Sequence, residues 1–159
     1  MKKKEIKFEK QYNATLADVW AAWTNPEILK KWWGPKNVFV PECILETHEG
    51  GRIYIVMEAD EGMGKYQGTR WPLDGTYTKV DEGAYTLSYH ARSWTEGDED
   101  GWIDQDTTLA LREESGKTTM NLIVTINETG PTANRMAAMG LKMGYKAQFK
   151  KLGDLLEGQ

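Results

Sequence analysis

The sequence has few of the residues that most often carry chemistry. In 159 residues there is one cysteine and there are two histidines. Cys43 alone allows no internal disulfide, and a single thiol suits a reducing compartment, so a cytoplasmic location is expected. There is no His-Glu-x-x-His, no cysteine pair and no His/Cys/Asp spacing that would ligate zinc, so no metal or other cofactor is expected. Ser88, Ser93 and Ser115 lack the glycine setting of a nucleophile elbow. Gly62-Met63-Gly64-Lys65 is too short for a phosphate loop and lacks its Ser/Thr. The acidic loop from Trp94 to Trp102 does not space its carboxylates as a calcium loop does.

Long apolar runs are also missing. No stretch of about 18 apolar residues occurs, so no membrane span is expected. The basic opening MKKKEIKFEKQY has no apolar segment behind it, which predicts no secretory leader. Positive charge is scarce as well: net charge is −4, and Glu46 to Asp106 holds fourteen acids against five bases. A nucleic-acid partner would need a concentrated basic face, so none is expected.

What is abundant is tryptophan and tyrosine, seven of each against three phenylalanines. The stretch WTNPEILKKWWGP, residues 23–35, holds three of the tryptophans. Such rings join a large apolar body to a polar tip, which suits both a core and the wall of a pocket.

Periodicity orders the chain. Ile6, Phe8 and Tyr12 share one phase of a first strand. Thr15 to Asp18 resembles a capping box, opening a helix that carries Val19, Trp20 and Trp23 on one face. Asn25-Pro26 starts a second helix and Gly34-Pro35 ends it. Alternation then predicts six strands: 38–47, 52–59, 75–80, 84–92, 104–112 and 117–126, joined by Gly/Asp/Glu turns in an antiparallel meander. A last helix is expected from about Ala133 to Leu156, roughly 36 Å long. Its apolar stripe includes Leu141, Tyr145, Phe149 and Leu152, while Met136, Met139 and Met143 lie on another face. That methionine group reads either as packing under a loop or as a contact surface, such as a homodimer face. The chain, 1–159, is expected to form a single domain.

Several of these stretches coincide with a known pattern. ATLADVWAAWTNPEILKKWWGP resembles the signature of the heat-shock-protein-90 ATPase activator-like family, in the START-like (SRPBCC, birch-pollen-allergen-like) superfamily. EGGRIYI, GTYTKVDEGAYTLSY and GLKMGYKAQFKKLGDLL resemble that family's later segments in the same order, with Gly-Tyr where Gly-Trp is usual. The resemblance implies an α+β helix-grip fold: an antiparallel sheet of six to seven strands wrapped round a long C-terminal helix, with a cavity between them. Carried over by position, it implies a ligand wall containing Trp33, Ile55, Met57, Trp71 and Tyr77. Leu87, Tyr89, Val124, Leu141 and Tyr145 complete it, with Ile53 and Leu122 alongside. Trp20, Trp23 and Trp32 are expected to seat the two short helices instead.

Three readings follow. The first is a binding protein for a small apolar or aromatic ligand. The second is a cyclase- or hydrolase-like enzyme in the same cavity, which would need an inward, desolvated acid or base such as His90 or Glu58. Simple alternation places His90 outward, out of phase with Tyr85, Leu87 and Tyr89. The third is an interaction module that works through the methionine face, as a homodimer or a co-chaperone-like contact.

Overall fold

Alternating strands build the body of the molecule. In the computed structural model, which describes residues 3–133 and 137–158, the strands are β1 (Lys4–Tyr12), β2 (Val38–Leu45), β3 (Arg52–Ala59), β4 (Arg70–Asp81), β5 (Thr86–Trp94), β6 (Trp102–Glu114) and β7 (Lys117–Thr129). They form one sheet in the order β1-β7-β6-β5-β4-β3-β2, with every neighbour antiparallel. Helices α1 (Leu16–Thr24) and α2 (Pro26–Leu29) follow β1, and α3 (Ala137–Glu157) follows β7. This is the expected α+β helix-grip arrangement.

Several strands exceed their expected lengths, and turn chemistry explains one pair. Ser115 and Gly116 both take positive φ, 52° and 79°, which makes a two-residue hairpin whose twist matches the flanking strands. β6 and β7 therefore run to thirteen residues each. β4 begins at Arg70 rather than at residue 75, so Trp71 and Pro72 belong to the strand. Pro41 and a register irregularity between Phe39 and Glu42 mark the edge strand β2. The other edge, β1, carries Lys4, Lys7 and Lys10 among its nine residues.

The helix starts follow the caps. Thr15 Oγ1 accepts from the Asp18 amide at 3.1 Å, and Asn25 Oδ1 accepts from the Glu27 amide at 2.9 Å, with Pro26 in the first turn. α2 stops at Leu29 rather than running to Gly34. Beyond it the backbone tightens into three-residue bonds, Lys31 to Ile28 and Trp32 to Leu29. That turn swings the Trp32 indole inward, where Nε1 donates to the Ala22 carbonyl at 3.0 Å.

α3 crosses the inner face of the sheet, held most firmly at its C-terminal half. Tyr145, Phe149 and Leu152 are buried, and Phe8 packs its ring 5.4 Å from both Tyr145 and Phe149. Tyr12 Oη donates to the Phe149 carbonyl at 3.1 Å. The N-terminal half is less covered, and Met139 and Met143 are 60% and 66% exposed. Ala133, the expected helix start, lies in a turn. Met136 falls outside the described residues. Among the described residues no helix is long and apolar enough to cross a membrane.

Candidate functional site

The chain leaves a cavity of about 590 Å³ between the sheet and the N-terminal half of α3. Its base consists of alternating inward residues: Ile55 of β3, Leu73 of β4 and Gln105 of β6, all buried. Trp33, just after α2, closes one side, its ring 6.1 Å from Tyr145 and edge-on to it. Met57, Trp71, Trp94 and Ile103 continue the wall with partly exposed side chains. α3 roofs the space with Leu141, Tyr145 and Gln148, and also with two glycines, Gly140 and Gly144. A Cβ added at either glycine would meet nothing within 4 Å.

The tryptophans divide by partner. Trp23 Nε1 lies 3.3 Å from Met120 Sδ, and Trp32 Nε1 donates to backbone, so both are tied into the core. Trp33 stacks edge-on against both, with centroids 5.8 Å and 5.4 Å away, and still presents a face to the cavity. Lys151 Nζ donates to the Gly34 carbonyl at 3.0 Å and so pins α3 to the segment that carries Trp33.

Two polar side chains interrupt the apolar interior. Gln105 is 1% exposed and Gln148 5%, and both line the cavity. Gln105 Nε2 reaches Thr107 Oγ1 at 3.4 Å, while Gln105 Oε1 and Gln148 Nε2 have no protein partner. Each unpaired buried amide atom costs about 1–3 kcal/mol of folding stability. The Tyr89 and Tyr145 hydroxyls sense each other and Tyr145 senses Gln105, yet Tyr89 Oη reaches no partner at hydrogen-bond distance. Burial pushes both phenols up from their ordinary value, so they stay neutral donors at physiological pH. Lys36, exposed at the rim, is the one charged side chain among the described lining residues.

Comparison with known proteins agrees with this fold. Residues 13–157 match the model of the activator of Hsp90 ATPase homolog 1-like family. The chain belongs to that family. Solved structures with the same fold include a Rhodobacter sphaeroides protein (23% identity, 97% of this chain and 93% of that one, TM-score 0.75). A Chromobacterium violaceum protein is 20% identical over 97% of this chain and 98% of that one, with TM-score 0.75. The AHSA1 protein of Silicibacter pomeroyi is 20% identical over 96% and 97%, with TM-score 0.71. At these identities the likeness shows the fold. No curated protein matches the chain significantly.

Within this member of the Hsp90 ATPase activator homolog-like family, the ten expected wall residues separate into two groups. Trp33, Ile55, Met57, Trp71, Leu141 and Tyr145 come together around the cavity. Tyr77, Leu87, Tyr89 and Val124, with Ile53 and Leu122, are packed in the main core and are not among its lining residues. Tyr77 and Tyr89 stack edge-on at 6.2 Å there. Sequence reasoning missed Trp94, Gln105 and Gln148. The signal for the glutamines was present: Gln105 is in phase with Thr107 and Leu109, and Gln148 lies three residues from Tyr145 and four from Leu152.

His90 and Glu58 lie outside the cavity lining. Glu58 pairs with Arg70 at 2.8 Å. His90 sits on the outer face of the sheet, its Nδ1 2.7 Å from Asp106 and its Nε2 3.1 Å from Asp104. Asn127, the extra residue where β7 slips register against β6, donates to both aspartates at 3.0 Å. Among the described residues no group of three His, Cys, Asp or Glu side chains is placed to hold a metal ion.

Proposed function

We propose that this protein binds a small apolar or aromatic molecule in the cavity between the sheet and α3. The observation that carries the reading is the wall itself: Trp33, Trp71 and Trp94 around a mostly apolar interior of about 590 Å³. That volume lies within the range of about 300–1,000 Å³ typical of small-molecule sites. Among the described lining residues there is no histidine and no carboxylate. His90 and Glu58 are engaged elsewhere, and the neighbouring tyrosines are held protonated, which favours holding a ligand over converting it.

Native mass spectrometry of freshly purified protein, followed by denaturing extraction, tests this directly. A reproducible co-purifying apolar molecule, lost on Gly144→Phe, is the expected result. A clean apo mass, together with no melting shift from a broad lipid and aromatic library, would refute it. A second reading, self-association through α3, is favoured by the exposure of Met139 and Met143. Light scattering that gives the same mass for wild type and Met139→Lys would remove it.

A further inference from the structure

We propose that the outward face of α3 docks on an anionic lipid surface, lying flat with its lysines at the lipid phosphates and with Met139 and Met143 reaching the acyl boundary. The proposal stands on this surface alone, so it and the ligand reading of the cavity can fail separately.

The first observation is charge. The chain carries a net charge of −4, yet from Thr129 to Gly153 it holds five basic residues and no acid. Three of these, Lys142, Lys146 and Lys150, are exposed on α3 at a spacing of one turn, and so share one side of the helix. Lys150 lies 3.4 Å from Asp154, whereas Lys142 and Lys146 have no carboxylate partner among the described residues. A groove floored by Phe8 and Phe149 runs beside Lys146, and Lys10 of β1 lines it from the far side, next to Glu9. The positive surface therefore continues from α3 onto β1.

The second observation is apolar. Met139 and Met143, 60% and 66% exposed, are the most exposed large hydrophobic side chains among the described residues. They interleave with the lysines over residues 139–150, a run of about 17 Å along the helix. Unbranched thioethers adapt to a fluid surface. Lysine stems lie along an apolar boundary while their ammonium groups stay at the headgroups. Helices that rest in a lipid interface have this composition, basic on the polar side with a modest apolar contribution. Lysine is depleted from protein–protein interfaces, so its alternation with methionine suits an array of lipid phosphates better than a protein surface. Among the described residues no helix is long and apolar enough to span a bilayer, so α3 rests on the surface rather than crossing it.

The third observation is position. Gly140, Leu141 and Gly144 line the cavity and neighbour these methionines in the chain. A docked α3 brings that wall of the cavity to the layer where apolar molecules partition.

Sedimentation of the full chain tests the proposal, using vesicles of phosphatidylcholine alone and of phosphatidylcholine mixed with an equal part of phosphatidylglycerol. The protein should pellet with the anionic vesicles and stay in solution with the neutral ones, despite its own negative net charge. Raising the salt from about 0.05 M to about 0.5 M should release it. Lys142→Glu combined with Lys146→Glu should weaken partitioning at least about tenfold, while Lys142→Arg combined with Lys146→Arg retains it. Met139→Ser combined with Met143→Ser should weaken it at least about threefold and leave its salt dependence in place. These positions are exposed, so Tm should stay within about 2 °C of wild type. The proposal is overturned by no pelleting with anionic vesicles at low salt, by equal pelleting with both vesicle types, or by undiminished pelleting of the glutamate variant. A light-scattering mass that falls in the serine variant, without vesicle binding in wild type, would assign the face to a second copy of the chain instead. The wild-type lipid and salt series decides the matter even if a variant does not fold.

Discussion

Gly144→Ala is the sharpest test of the roof. Gly144 is within α3, where glycine is disfavoured relative to alanine by about 0.8–1.0 kcal/mol. Gly144 lines the cavity, and a Cβ added there would meet nothing within 4 Å, so no clash offsets the gain in helix propensity. Part of the gain comes from a less mobile unfolded chain. The variant should therefore be more stable by about 1 kcal/mol, which for a chain of this size raises Tm by about 2–4 °C. Circular-dichroism melts and urea titration at constant pH measure both quantities. Gly140 is equally clear of neighbours, and Gly140→Ala should behave alike. Enlarging the side chain then separates stability from function. Gly144→Leu should keep or raise Tm yet displace ligand, weakening any co-purified molecule by about tenfold or more through lost volume. A fall in Tm for Gly144→Ala would refute the claim that α3 roofs open space at this position. Unchanged affinity in a folded Gly144→Leu would place the ligand elsewhere.

Two further predictions concern titratable groups. His90 is raised above its ordinary 6.5, chiefly by the hydrogen bond to Asp106, with the Asp104 charge adding to it against some desolvation. A raised histidine stabilises fully below its unfolded value and loses that contribution as pH climbs through the folded value. His90→Gln should therefore cost more stability at about pH 5.5 than at about pH 8.5, by no more than about 1 kcal/mol because the pair is half exposed. A difference that is flat or larger at the alkaline pH, in urea melts, would contradict the arrangement. Cys43 is pushed up to about 11, mainly by burial, with Lys30 lowering it and Glu27 raising it. Its alkylation by iodoacetamide near neutral pH should run more than about a hundredfold slower than that of an ordinary thiol. A rate equal to that of free cysteine would show the thiol to be unshielded.

The sequence displayed the backbone of this fold more clearly than its empty space. Thr15 and Asn25-Pro26 announced the helix starts because capping is local chemistry, and both caps form. The phases of β3, β4 and β5 placed Ile55, Tyr77, Leu87 and Tyr89 on the inner side of the sheet. Periodicity could not say which inward residues meet open volume. Ile55 lines the cavity and Tyr89 does not, although both are fully buried, because distant packing by α3 decides where the space lies. Trp94 was hidden as the border of an acidic loop, and the strand runs one turn of alternation farther than its polar neighbours suggested. Gln105 and Gln148 were overlooked for a different reason. A stripe of apolar residues draws attention to its members, while here two polar exceptions within the stripes also line the cavity.

The two strands with no outer neighbour have a bearing on how the molecule meets its own copies. β1 sets Lys4, Lys7 and Lys10 along one border, and β2 breaks the other with Pro41 and an irregular register. A growing stack of sheets needs a long, regular, uncharged border on which to template, and neither side supplies one. The same features leave side-by-side strand pairing a poor route to a dimer. Crowded solutions of this protein should therefore resist fibrous assembly, and copies that do meet will do so across helix or loop surfaces.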